Sequence, residues 1–170
     1  MTTVFSLSHA AMLLAIEPVE GARVAAAWPD EYAVRSGGAA LLLLLVLLTE
    51  FNDVAQFCWG KTLGKQMAVP KVSPGKTVAG LSGGVVSTVL VAGLVGPWRT
   101  FLDLPRSLIA GLLVGVSGFA GDISISALKR DIGVKDSGAT LPGHGGVLDR
   151  VDSLTYTAPL FFHFIYYCYG

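Results

Sequence analysis

Five apolar stretches, separated by polar segments, set the plan of the chain. The first runs from Val4 to about Val19, is interrupted by His9 and Glu17, and is marginal in length for a bilayer crossing. It lacks the basic start and small-residue cleavage pattern of a secretory signal. From Gly37 to Trp59 the sequence GGAALLLLLVLLTEFNDVAQFCW is long enough to cross, and its first half has no polar side chain, so a transmembrane helix is predicted there. The stretches Val78 to Val95 and Leu108 to Ala127 are rich in Gly, Ala and Ser, which lets helix backbones approach closely inside a bilayer. The last, Leu154 to Tyr169, ends in aromatics suited to an interface belt. The pattern predicts an all-α, multi-pass transmembrane bundle: four clear spans and one marginal one, in a single integral membrane domain over residues 1–170 with no internal repeat.

Composition agrees with that plan. With 52% hydrophobic and 14% charged residues in 170, a soluble globule of this size would be short of polar surface to cover its core. Twelve basic and twelve acidic side chains cancel, so no net positive field invites nucleic acid. Cys58 and Cys168 lie far apart in apolar stretches, without CxxC or CxxH spacing; they read as packing residues rather than as a zinc site or a disulfide framework. The distribution of charge assigns sides. All six lysines fall in the segments 60–77 and 128–152, which should therefore face the cytoplasm. Segments 18–36 and 96–106 hold only Arg23, Arg35, Arg99 and Arg106 as cations, beside acidic residues, and belong outside. Without organelle targeting, a bacterial inner membrane is the simplest location, with active-site loops on the cytoplasmic side.

Polar residues inside the apolar stretches are the candidate chemistry. Glu50, Asn52 and Asp53 follow the leucine run, where a carboxylate costs about 2.5–3.5 kcal/mol even on the lenient insertion scale. Either the helix ends near Thr49 and these residues lie among headgroups, or Glu50, Asp53 and Phe57 share one helical face and the carboxylates point at a cation or substrate. The return to apolar residues from Val54 to Trp59 favours the second reading. Asp122, Ser126 and Lys129 stand at i, i+4 and i+7, within an arc of roughly 60° on a helix. That stripe presents a carboxylate, a hydroxyl and an ammonium; the plainer alternative is that Lys129 and Arg130 snorkel to the boundary with Asp122 as a buried partner.

From Asp131 the sequence DIGVKDSGATLPGHGGVLDRVDS is dense in Gly and can place backbone N–H groups around an anion. Asp149 and Asp152 would face one way if this part is helical. His144 has no second His or Cys at a zinc-ligand spacing, so hard oxygen ligands point to magnesium instead. Two GKT strings near residues 60–77 are not phosphate-binding P-loops, because Ala55 and Pro70 stand where the leading glycine is needed.

The run SALKRDIGVKDSGATLPGHGGVLDRVD, Ser126 to Asp152, resembles the signature of the phosphatidate cytidylyltransferases, or CDP-diacylglycerol synthases. Their pattern is S-x-apolar-K-R, four residues, K-D-x-small, two residues, apolar-P/G-x-H-G-G-apolar-x-D-R-apolar-D, and every specified position is met. The likeness extends upstream through Asp122, NDVAQFCWGKTLGK and VPKVSPGKTVAG, so it covers about Thr49 to Gly170, the C-terminal catalytic part of such enzymes. It implies that Asp122 and Asp149 hold a catalytic magnesium, and that Ser126, Lys129 and Arg130 line a phosphate site. Lys135, Asp136 and the His144-Gly145-Gly146 turn would belong to the active-site loop, with Arg150 adding positive charge and Asp152 completing the motif. Asp53 matches a membrane-embedded aspartate near the same pocket. Lys71, Ser73, Lys76 and Thr77 match a second, substrate-binding box. That box departs from the pattern at Gly75, Val78 and Ala79, which leaves its usual acidic residue without a counterpart. Chains of the family are also longer at the N-terminus, so this one reads as a short member or a fragment.

The resemblance implies attack by the phosphate of phosphatidic acid on the α-phosphorus of CTP, giving CDP-diacylglycerol and pyrophosphate. Expected partners are CTP, phosphatidic acid and the lipid bilayer, with a homodimer as an open expectation; a second metal or potassium beside magnesium is likewise left open. The competing readings are a CTP-dependent lipid kinase, which would transfer the γ-phosphoryl group, and a catalytically silent or truncated membrane paralogue acting as a partner.

Overall fold

The structure, a computed structural model, describes residues 2–16, 30–70, 72–131, 133 and 153–169. Its elements are helix α1 (Thr2–Met12), which continues into a 3₁₀ turn at Leu13–Ala15, helix α2 (Asp30–Leu63), strands β1 (Met67–Val69) and β2 (Ser73–Thr77), and helices α3 (Val78–Arg99), α4 (Leu104–Asp131) and α5 (Leu154–Tyr169). The protein is a helical membrane bundle. Among the described residues, Gly37–Leu63, Val78–Arg99 and Leu104–Asp131 are long and apolar enough to cross a bilayer. The fourth stretch expected to cross, Leu154–Tyr169, is helical as well, as α5. The described part of α5, 16 residues, reaches about 24 Å at 1.5 Å per residue, against a hydrocarbon core about 30 Å thick. The apolar part of the first stretch, Val4–Ala15, is shorter still.

Helix α2 does not end near Thr49. It runs unbroken through Glu50, Asn52 and Asp53 to Leu63. Its leucine run splits by helical spacing: Leu41, Leu44, Leu45 and Leu48 are buried, whereas Leu43, Val46 and Leu47 are exposed on the side a bilayer would cover. The buried leucines join Leu13, Ala92, Ala110, Val114, Phe161 and Ile165 in one core.

Close packing of α3 explains its composition. Its buried residues are Gly80, Gly84, Thr88, Ala92 and Gly96, a stripe of small side chains at every fourth position that lets α2 and α4 approach its backbone. At Gly111 on α4 a Cβ would lie 2.9 Å from Val89 Cα and 3.1 Å from the Thr88 carbonyl oxygen. Gly111→Ala should therefore destabilise the bundle by about 1–3 kcal/mol, the usual cost of overpacking, seen as a lower melting temperature in detergent. Asn52, fully buried, ties the three helices: its Oδ1 accepts from Thr88 Oγ1 at 3.2 Å, and its Nδ2 makes a long contact of 3.5 Å to the Gly115 carbonyl.

Residues 60–77, read from sequence only as a polar loop, contain a two-stranded antiparallel hairpin with Met67 opposite Thr77 and Val69 opposite Ser73. It leads directly into α3, whose first residue Val78 donates its N–H to the Gln66 carbonyl at 3.0 Å. Thr77 caps that helix, its side chain accepting from Gly80 N–H. At the opposite end of the bundle, Tyr169 of α5 accepts from Arg106 Nη1 at 3.0 Å and donates to the Phe101 carbonyl at 3.3 Å. Cys58 is exposed and Cys168 half-buried, so Cys58 does not pack in the core as expected.

Candidate active site

The end of the bundle away from Tyr169 gathers polar side chains from four elements. Asp53 comes from α2, Lys76 from β2, Asp122 from α4 and Ser153 from the residue preceding α5. Ser153 Oγ lies 2.9 Å from Asp53 Oδ2 and 2.7 Å from Asp122 Oδ1. The other oxygen of Asp122 forms an ion pair with Lys76 Nζ, and that ammonium also stands 5.2 Å from the centroid of the Phe119 ring. Both members of the pair are mostly buried, at 21% and 17% side-chain exposure, which strengthens their attraction relative to a surface pair.

Asp53, Lys76, Asp122 and Phe119 border a cavity of about 160 Å³, whose wall also includes Gln56, Phe57, Thr77 and Gly80. The local sequence explains how it forms. Gly80 lets α3 come against α2, since a Cβ there would lie 2.7 Å from the Gln56 carbonyl oxygen. The hairpin then swings Lys76 over the gap between α2 and α4. The Gln56 Nε2 amide is buried with no acceptor among the described residues, so a donor is available to an oxygen-rich ligand at the wall of the cavity.

The donor set bears on a metal. Two carboxylates and a serine hydroxyl are hard oxygen groups of the kind magnesium takes, and they converge from separate helices. Among the described residues no group of three or more His, Cys, Asp or Glu side chains is placed to hold a metal ion. The described residues supply hard oxygen donors of the type magnesium takes but no complete ligand set, and the other expected ligand, Asp149, lies outside them.

The expected site residues sort as follows. Asp53, Lys76, Thr77 and Asp122 all line the cavity. Ser73 pairs with Val69 in the hairpin instead, and Thr77 carries a capping role besides its place in the wall. Ser126 and Lys129 are half-buried farther along α4, and Arg130 is exposed in its last turn; none of the three borders the cavity. Lys71, Lys135, Asp136, His144, Gly145, Gly146, Asp149, Arg150 and Asp152 lie outside the described residues. One expectation is corrected: Asp53 and Phe57 face the cavity together, but Glu50 does not join them. It is exposed one turn deeper in the bundle, because a 60° offset at 100° per residue is enough to carry it onto the outer face. Sequence reasoning missed Ser153, Gln56 and Phe119. The only signal for Ser153 was its place directly after the Asp149-Arg150-Val151-Asp152 run.

Comparison with known proteins bears on these residues as a set. The chain is 54% identical over 166 residues to the uncharacterized protein YnbB of Escherichia coli strain K12, covering 98% of this chain and 51% of that protein. It is 39% identical over 145 residues to a phosphatidate cytidylyltransferase of Synechocystis sp., covering 81% of this chain and 48% of the relative. A phosphatidate cytidylyltransferase of Staphylococcus epidermidis is 37% identical over 133 residues, 76% of this chain and 50% of the relative. The chain thus spans about half the length of the curated relatives it matches. The profile of the cytidylyltransferase family matches residues 1–168, from the first helix through the last, and on that match the chain belongs to the cytidylyltransferase family.

Proposed function

We propose that the protein is a CTP:phosphatidate cytidylyltransferase, acting in a bacterial inner membrane with its site toward the cytoplasm. The observation that carries this reading is the cavity in which Asp53, Asp122 and Lys76 meet at one end of a membrane bundle. A lipid substrate held by apolar helices and a nucleotide arriving from water can meet only at such a boundary. The likeness to relatives named phosphatidate cytidylyltransferase supports it, as does the placement of all six lysines in segments on that side.

In the proposed reaction a phosphate oxygen of phosphatidic acid forms a bond to the α-phosphorus of CTP. The bond from that phosphorus to the bridging oxygen breaks, and pyrophosphate leaves with the electron pair. The attacking phosphate is already ionised near neutral pH, so no general base is needed. Two polyanions must approach, and unit charges 4 Å apart repel by about 4 kcal/mol at an effective dielectric near 20. Lys76 supplies a fixed positive charge at the cavity, and Gln56 offers an amide donor. Magnesium held by Asp122 and Asp149 would neutralise phosphate oxygens and favour departure of pyrophosphate. Lys129, Arg130 and Arg150 are the further cations of the proposal.

The test is magnesium-dependent conversion of labelled CTP by the purified protein in detergent with phosphatidic acid, beside Asp149→Asn. CDP-diacylglycerol and pyrophosphate are expected in equal amounts, both lost in the variant. Release of CDP with a phosphorylated lipid would replace this reading with the lipid kinase. No product from folded protein would overturn the proposed activity for this chain.

A further inference from the structure

We propose that Ser153 is a positioning residue of this site: its hydroxyl fastens the carboxylates of Asp53 and Asp122, which come from two different helices, at one separation. The inference rests on the reaction proposed above. Ser153 is 2% exposed, and its Oγ is within hydrogen-bond distance of both carboxylates, at 2.9 and 2.7 Å. Two carboxylates facing one another repel. A hydroxyl between them carries one proton, so it donates to one oxygen at a time and can pass between two acceptors without moving the backbone. The backbone of Ser153 is itself fixed at the start of α5, where its carbonyl accepts from Thr157 N–H at 3.3 Å and Thr157 Oγ1 at 3.1 Å.

The position adds a second consequence. Ser153 directly follows Asp152, the last residue of the signature run, and its own hydroxyl reaches a carboxylate of α2 and one of α4. Hydrogen-bond partners that orient metal-binding carboxylates are worth about 10- to 100-fold in metal affinity or activity when removed. Ser153→Ala should fall in that range, with the loss in kcat and little change in KM for CTP or phosphatidic acid.

The experiment measures two quantities on the full chain in detergent: Mn²⁺ affinity by electron paramagnetic resonance, which needs no turnover, and kcat and KM by pyrophosphate release. Ser153→Ala and Ser153→Cys, which both lack a strong donor, should bind Mn²⁺ about 10-fold or more weakly, and Ser153→Thr should restore binding and kcat. Thr157→Val disturbs the same helix start without touching either carboxylate and should match wild type in both. Wild-type Mn²⁺ affinity and kcat in the Ala and Cys variants would overturn the proposal. So would an equal fall in Thr157→Val, which would assign the effect to the helix start. A wild-type protein that binds Mn²⁺ but makes no CDP-diacylglycerol would sink the reaction reading, while the affinities of the variants would still decide the role of Ser153.

Discussion

Replacing Asp122 by Asn is expected to lower kcat by about 10²–10³ or more, the range seen when one group that stabilises transition-state charge is lost. The substitution preserves shape and removes only charge, which makes it a sharp test. In the native site Asp122 serves two partners at once, Lys76 Nζ through one oxygen and Ser153 Oγ through the other. An amide can keep Lys76 only as a neutral acceptor through its oxygen while its N–H groups turn to Ser153 Oγ, whose lone pairs can accept them, so what the substitution takes away is the charge opposite the ammonium. The charge that would bind magnesium is also gone. Glu50→Gln is the matched control. It removes a carboxylate one turn from Asp53 on the same helix, but Glu50 is exposed on the outer face and does not border the cavity, so turnover should stay near wild type. Pyrophosphate release by both variants, with melting temperatures to show that each is folded, checks the pair; equal losses would mean that Asp122 acts through general electrostatics and not as part of a built site.

That contrast between Glu50 and Asp53 shows what the sequence could settle. Both stood out because carboxylates are expensive in an apolar stretch, and cost alone does not say which way a side chain points. The outcome depends on how α2 is rotated against α3, and that rotation is set by Gly80 and Gly84 meeting Gln56 and Gly60, contacts between segments some 20 to 30 residues apart. Asp122 and Lys76 were legible for a different reason: each belongs to a motif of fixed spacing, although neither motif says that the two form an ion pair. Ser153 was invisible because a serine at a helix start is ordinary, and only the arrival of two other helices gives its hydroxyl a purpose. The hairpin escaped because its strands are short and include Pro74 and Gly75, residues depleted in strands. The spans were read well where they were long.

Lys76→Met should separate the two things this lysine does. It removes the ammonium at the cavity that is proposed to meet the substrate phosphates and, at the same time, strands the Asp122 carboxylate in a partly buried place beside Asp53. Breaking a fully buried pair by deleting one partner costs about 3–5 kcal/mol; with 21% and 17% exposure of the two side chains, solvent screening reduces the expectation to about 1–3 kcal/mol. Turnover should fall more steeply, by about 100-fold in kcat/KM, because a charge contact desolvated by bound polyanions is worth about 2–5 kcal/mol. The double variant Lys76→Met with Asp122→Asn distinguishes the effects. Neutralising Asp122 removes the stranded charge, so the double variant should melt higher than Lys76→Met alone, a coupling visible as non-additivity of two neighbouring substitutions. Its turnover should remain at the level of Asp122→Asn, because stability regained by cancelling a charge restores neither the ammonium nor the carboxylate proposed to hold magnesium. Additive melting temperatures would mean that the Lys76–Asp122 pair contributes nothing to the fold, leaving the ammonium to act on substrate alone.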